Sequence, residues 1–246
     1  MRKNIFGIAV IGIVLAGIVV YAAIRPMPVK APTPGTGTQS RILLPAGVYT
    51  EQSPGYAIAA NYPTTTPLAS AANEKAIAQI QSYIGDTISQ FKTKGNVAYP
   101  PGGAKQTLQI KYLVSSSPRT VSYIFTVYEN TLGVHGNLFF HTFTFDTSTG
   151  AELTLADLFA PNAAYLDTLS AISRAQLPGV IGKNADIGFI TRGTTPEVKN
   201  FENFFIDNGY LDILFDPYQV APYALGPQTL RIPLATLGAI LNPQYR

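Results

Sequence analysis

The sequence predicts an α+β protein, a mostly antiparallel sheet with helices packed on one face, preceded by one N-terminal transmembrane helix. Three observations carry this. Ile5 to Ile24 is apolar and uncharged. Residues 70–94 hold apolar side chains at spacings of three and four, the period of an amphipathic helix. After residue 106, segments alternate apolar and polar residues, the period of a half-buried strand.

The apolar run comes first. Twenty helical residues rise about 30 Å, the thickness of a bilayer's hydrocarbon core. In lipid the backbone polar groups must be satisfied internally, which a helix does. Arg2 and Lys3 precede the run, Arg25 and Lys30 follow it, and residues 1–4 form a short basic tail. This is the pattern of a signal-anchor at residues 5–24, with the downstream domain outside the cytoplasm at the cell membrane. Val20-Tyr21-Ala22 also offers a small-residue cleavage site, in which case the domain is secreted. Residues 25–40, rich in Pro, Gly and Thr, read as a tether. Residues 41–246 are then one extracytoplasmic α+β domain, with an N-terminal half at 41–130 and a C-terminal half at 131–246.

Within that domain, residues 55–62 read as a short strand ended by Pro63. The helix over 70–94 places Ile77, Ile80, Ile84, Ile88 and Phe91 on one stripe. Strands follow at 107–114, with Leu108, Ile110 and Tyr112 on one face, and at 120–129, with Val121, Tyr123, Phe125 and Val127 on one face. A third, at 135–146, aligns Phe139, Phe143 and Phe145. Their short connections predict antiparallel neighbours. A second helix over 162–177 ends at Pro178-Gly179. Asn208-Gly209 closes a hairpin over 203–215, because both positions tolerate positive φ. A last strand near 228–232 leads into a short helix at 234–241.

Composition excludes several classes of chemistry. The chain has no Cys, so disulfides, thiolate metal sites and Cys nucleophiles are absent. The pI near 9 belongs to the N-terminal region. Four of the 17 basic residues lie there, leaving thirteen against fourteen acidic residues after position 40, a net charge of −1. A near-neutral domain lacks the footprint for a phosphate backbone, so nucleic acid is not an expected partner.

The only two histidines, His135 and His141, lie six apart, too far on one strand for a shared metal, and no metal or cofactor is expected. Gly102-Gly103-Ala104-Lys105 lacks the first Gly and the final Ser or Thr of a phosphate loop. There is no G-x-S-x-G elbow. Asp146, Glu152 and Asp157 crowd one stretch and are the carboxylates a hydrolase would use, but Asp146 more simply starts a turn and Asp157 caps local backbone. No catalytic residue is nominated. Tyr218, Tyr223 and Tyr245 sit in or beside turns, where a Tyr offers an apolar body with a polar tip. Closing the edge of the core is the plainer role for Tyr218 and Tyr223.

Two stretches carry a resemblance. The first runs from His135-Gly136-Asn137 through Asp146, Thr149-Gly150 and Leu153-Thr154-Leu155 to Asp157-Leu158-Phe159. The second holds Pro217-Tyr218, Ala221-Pro222-Tyr223-Ala224 and Gly226. Both resemble a bacterial extracytoplasmic family of paired domains of unknown function, found in RsiV-type lysozyme-sensing anti-sigma factors and in the N-terminal part of PdaC-type peptidoglycan deacetylases. The resemblance implies an exported fold and a binding or sensing role at the cell envelope, with lysozyme or peptidoglycan as the partner and no catalysis by this domain. It departs from the family at Leu132-Gly133-Val134, which stands where Gly-Gly-Ala is frequent. Four residues ahead of the apolar run are too few for a sigma-binding segment, and no deacetylase domain is expected, so neither activity carries over. The ligand-binding residues expected from the Tyr-rich turns and the resemblance are His135, Tyr218 and Tyr223. The rival expectations are a wall-acting hydrolase using carboxylates and a structural subunit of an envelope assembly.

Overall fold

The computed structural model describes residues 46–94 and 103–246. The expectations for residues 1–4, 5–24 and 25–40 lie outside these. Among the described residues no helix is long and apolar enough to cross a membrane. All of them belong to one compact unit, Gly37–Arg246.

The first sheet is built of β1 (Ala46–Gln52), β2 (Tyr56–Pro63), β3 (Gln106–Ser116), β4 (Thr120–Asn130) and β5 (Asn137–Asp146), hydrogen-bonded in that order. All neighbours are antiparallel except β2 and β3, which run parallel. Between those two lies α1 (Ser70–Lys94), the crossover a parallel pair requires. The face predicted from alternation is the one buried: Val121, Tyr123, Phe125 and Val127 are all at 0% exposure. The stripe of α1 (Ala76, Ile80, Ile84, Ile88 and Phe91) closes over it. Ile77 sits at the margin of that stripe, half-buried.

The α+β class holds, but there are two sheets, not one. A second, three-stranded sheet is formed by β6 (Phe204–Asp207), β7 (Tyr210–Phe215) and β8 (Gln228–Pro233), in that order and antiparallel. Asn208 and Gly209 both take positive φ at the β6–β7 turn, as that dipeptide predicts. Its apolar face gathers Phe204, Ile206, Leu211, Ile213, Leu230 and Ile232 into a second core. That core is covered by α2 (Tyr165–Ile181) and includes Ile190 of α3 (Ile187–Gly193) and Leu234 and Leu237 of α4 (Leu234–Leu237). Strand β5, beyond residue 130, belongs to the first sheet, and the second core starts around Leu153.

The helices therefore do not share one face of one sheet. The reverse face of the first sheet is met by β6. Register places Ser115, Ser122 and Thr144 side by side across β3, β4 and β5. Read along the strands, these residues pass for a solvated face. In the fold, Thr144 Oγ1 donates to the Phe204 carbonyl at 3.2 Å, Ser115 Oγ donates to the Ile206 carbonyl at 3.1 Å, and the Phe204 N–H donates to Thr142 Oγ1 at 3.1 Å. Strand β6 is an edge, so its outward backbone groups need partners once buried, and the hydroxyl row supplies them.

Two helix ends differ from expectation: the last helix, expected over 234–241, stops at Leu237, and the second runs past its expected end. Helix α2 runs through Pro178 to Ile181 and stops where Gly182 takes φ +79°. One lost backbone bond is outweighed because Leu177 and Ile181, four residues apart, both pack on the second core. Strand β1 and helix α3 have no counterpart in the sequence reading. β1 is an edge strand with one half-covered face, and α3 has only seven residues, so neither shows a clear period.

One buried ion cluster makes stability depend on pH. Arg231 Nη2 lies 2.6 Å from Asp207 Oδ2, while its Nε stands 3.6 Å from Asp212 Oδ1, beyond hydrogen-bond reach. Asp212 is 4% exposed, and burial pushes its carboxyl up to about 7, with Arg231 opposing and Asp207 adding to the rise. A carboxyl raised on folding contributes stability that is full below its unfolded value near 4 and is lost as pH rises through about 7. The loss is on the order of 3–4 kcal/mol. Asp212→Asn is therefore expected to flatten the stability profile between pH 5 and 8 and to exceed the parent at pH 8, as read by urea unfolding.

Candidate functional site

The loop before β5 and the turn after β7 meet at one end of the molecule and bring the three expected residues together. His135 stacks on Tyr223, with ring centroids 3.9 Å apart and planes 21° from parallel. The Tyr218 ring stands 6.0 Å from His135 and 5.4 Å from Tyr223, centroid to centroid. His135 Nδ1 is 3.0 Å from the Gly136 carbonyl, and Nε2 is 3.0 Å from the Tyr218 hydroxyl. A carbonyl only accepts, so Nδ1 carries a proton and, in the neutral ring, Nε2 accepts from Tyr218. The Tyr223 hydroxyl donates to the same Gly136 carbonyl at 2.6 Å. Burial raises the Tyr223 hydroxyl above its ordinary value, and neighbouring Tyr128 and Tyr218 add to this.

Gly136 lies against the ring of Tyr128 on β4: a Cβ there would lie 2.6 Å from Tyr128 Cε2, so a larger residue would have to push that ring aside.

The backbone carries the more informative feature. Among the described residues, four non-Gly residues have positive φ: Leu132, Asn162, Asn208 and Tyr218. Asn accepts that conformation readily, whereas a bulky side chain pays about 1–2 kcal/mol for it. Both bulky cases, Leu132 at +64° and Tyr218 at +71°, lie in this one site. Such conformations persist only where the surroundings over-determine them.

For Tyr218 the restraints are visible. Asp216 Oδ1 accepts from the Phe140 N–H of edge strand β5 at 2.8 Å. Gln219 Nε2 donates to the Gly193 and Asn200 carbonyls at 3.1 and 3.0 Å, and Gln219 Oε1 accepts from the Asp216 N–H at 3.2 Å. Gly193 of α3 packs directly on the Gln219 backbone. Burial pushes the Asp216 carboxyl up to about 6, with the Phe140 N–H opposing and Glu202 adding to the rise.

The result is a rigid aromatic surface presented to solvent. Tyr218 is 53% exposed, and at the loop tip Val134 is fully exposed and Leu132 40% exposed. Sequence reasoning did not nominate Leu132 or Val134, although it noted their stretch as a departure. The supports Gln219 and Gly193 gave no signal in the sequence.

The other candidates separate. His141 does not join His135: it lies on β5, stacked on Tyr83 of α1 at 4.1 Å, and burial lowers its basicity. Among the described residues no cluster of three His, Asp or Glu side chains could hold a metal. Asp146 is 2% exposed and accepts from the Ser148 and Thr149 N–H groups, the Ser148 hydroxyl, Arg119 Nη2 and the Tyr245 hydroxyl. Glu152 accepts from Gln79 Nε2 at 2.8 Å. Asp157 closes a capping box with Thr154. Each carboxylate is held by donors of its own, and the hydrogen bonds of His135 go to a carbonyl and a phenol, not to a carboxylate.

Residues 156–235, which include the Tyr218 turn, match the family model described as a protein of unknown function, DUF3298. Over 173 residues, 70% of this chain, the sequence is 34% identical to the peptidoglycan-N-acetylmuramic acid deacetylase PdaC of Bacillus subtilis strain 168. The match covers 35% of that enzyme, so the chain spans about a third of its length. Two crystal structures of DUF3298 family proteins share the fold. The one from Pseudomonas aeruginosa PAO1 has a TM-score of 0.56 at 13% identity, covering 83% of this chain and 97% of that one. The one from Bacteroides fragilis NCTC 9343 has a TM-score of 0.55 at 18% identity, covering 83% and 95%. Residues 156–235 thus match the DUF3298 domain of unknown function, and the chain shares its fold with two solved DUF3298 family proteins.

Proposed function

We propose that the chain is a membrane-anchored extracytoplasmic binding module without catalysis of its own, and that His135, Tyr218 and Tyr223 form its contact surface together with the Leu132–Val134 tip. The ligand is cell-wall material or a wall-acting protein such as lysozyme. The anchor is residues 5–24, and the domain stands outside the cytoplasm on the tether at 25–40.

The observation that carries this reading is the pairing of backbone strain with exposure. Tyr218 and Leu132 occupy costly left-handed conformations, yet neither buries its side chain. Folding gains little from that, whereas binding gains from a rigid aromatic ring presented with little entropy left to lose. Tyr is among the residues that dominate interface energetics, and an exposed apolar tip beside it adds desolvation energy on contact. The kinship with part of a peptidoglycan deacetylase supports a wall-associated ligand. The carboxylates a hydrolase would need are each engaged elsewhere.

The test is calorimetry of purified residues 41–246 with lysozyme, at low and moderate salt, alongside sedimentation with insoluble peptidoglycan. The expected result is saturable binding to one of them that survives moderate salt and weakens at least tenfold in His135→Ala. A folded sample that is retained by neither would remove the reading.

A further inference from the structure

On the opposite side of β4 from the Tyr128 contact, a cavity of about 270 Å³ opens between α1 and the first sheet. Alternation along the strand places Glu129 on that side. Phe91, Leu108 and Phe139 supply apolar walls, and Asp86 and Lys94 stand at the polar rim.

Glu129 lines the cavity at 7% exposure. Its Oε2 is 3.4 Å from Lys94 Nζ, a loose contact with a side chain that is 59% exposed. Its Oε1 is buried and has no hydrogen-bond partner among the described residues. Leaving a buried carboxylate oxygen without a donor costs about 1–3 kcal/mol or more, so such a group calls for an explanation. With Asp86 and Glu129 against Lys94, the lining carries one net negative charge.

The volume lies below the ~300–1,000 Å³ of sites for drug-sized ligands, which suits a short chain with one charged end. We propose that this cavity binds a primary ammonium group on a short aliphatic chain, with Glu129 as the acceptor and Phe91, Leu108 and Phe139 packed along the methylenes. Lys94 is the intrinsic competitor: it offers the same ammonium from the rim, and a ligand that reaches Glu129 displaces it. The site is independent of the His135 surface, from which it differs in face and in chemistry.

The experiment titrates n-pentylamine, n-pentanol and pentanoate into the full-length chain in non-ionic detergent, followed by calorimetry and by the Tyr and Phe resonances of the cavity. Pentylamine should bind saturably and at least tenfold more tightly than pentanol or pentanoate. Glu129→Gln keeps the shape and removes the charge, and should lose at least tenfold for pentylamine. Lys94→Met should gain at least threefold, which a merely structural ion pair would not produce. Equal binding of pentanol, no saturable binding of pentylamine, or unchanged affinity in folded Glu129→Gln would overturn the proposal. If Glu129→Gln does not fold, Lys94→Met decides: a gain supports the site and no change overturns it.

Discussion

Asp146→Ala is expected to destabilise the folded unit by about 3 kcal/mol at pH 7, the scale seen when one partner of a buried, multiply hydrogen-bonded pair is removed. For a unit of this size that lowers Tm by roughly 6–12 °C. The size follows from where the donors come from. The Ser148 and Thr149 groups shape the turn after β5, Arg119 lies at the start of β4, and Tyr245 stands at the end of the second core. One carboxylate thus ties the first sheet to the last buried residue of the second. Burial alone would raise its protonation point, but the hydrogen bonds from Ser148, Thr149 and Arg119 outweigh it and hold the carboxyl well below its ordinary value. A carboxyl lowered on folding contributes stability that is present above about pH 4 and is lost as pH falls below that. Parent and variant should therefore differ most near neutral pH and converge in acid. Urea unfolding at pH 7 and pH 3 measures this, and a difference that persists undiminished at pH 3 would mean that the side chain acts through packing alone.

The same residue shows what was legible from sequence. Asp146 at the start of a turn followed from Thr149-Gly150, and the structure has that turn. Its bond to Tyr245, 99 residues away, was not legible, because turn chemistry is local and tertiary partners are not. Helix α1 was legible because one face is buried and the other is wet, and strands β3 to β5 because apolar and polar residues alternate along them, which is what periodicity reports. The second sheet's docking was hidden for the complementary reason. Ser115, Ser122, Thr142 and Thr144 alternate with apolar residues as a solvated face would, but the edge of β6 partners Ser115, Thr142 and Thr144, and Ser122 bonds to Thr144. The parallel pairing of β2 and β3 was implicit in a strand, a 25-residue helix and a strand, but pairing direction leaves no trace in period.

The candidate site was legible in its aromatic residues and not in its framework. Turn Tyr residues and a family resemblance pointed to His135, Tyr218 and Tyr223. Nothing in the residue types of Leu132 or Tyr218 signals positive φ, since that conformation is read from Gly and Asn. What holds Tyr218 there is a side chain, Gln219, and a close approach by Gly193, and both become visible only once α3 is folded against the turn.

That close approach sets the second large effect. Gly193 is buried at the end of α3, and a Cβ there would lie 2.6 Å from the Gln219 carbonyl carbon and 3.0 Å from Val220 Cγ1. The clash is with backbone, and the turn cannot retreat: Asp216 is fixed to Phe140, and Gln219 to Gly193 and Asn200. Gly193→Ala is therefore expected to cost about 2–3 kcal/mol, the upper range for overpacking. It should also loosen the Tyr218 turn, so that ligand affinity at the His135 surface falls at least tenfold in variant that is still folded. Tyr218→Gly makes the complementary test. It removes the ring but relieves φ +71°, so it should leave stability unchanged or raised by about 1 kcal/mol while binding is lost. Urea midpoints and calorimetric affinities for both variants separate the two roles. If Tyr218→Gly destabilises the fold as Gly193→Ala does, the ring is packing and the left-handed turn needs another cause. If it spares the fold and abolishes binding, the strain at Tyr218 is held by α3 and Gln219 for the sake of the surface it presents.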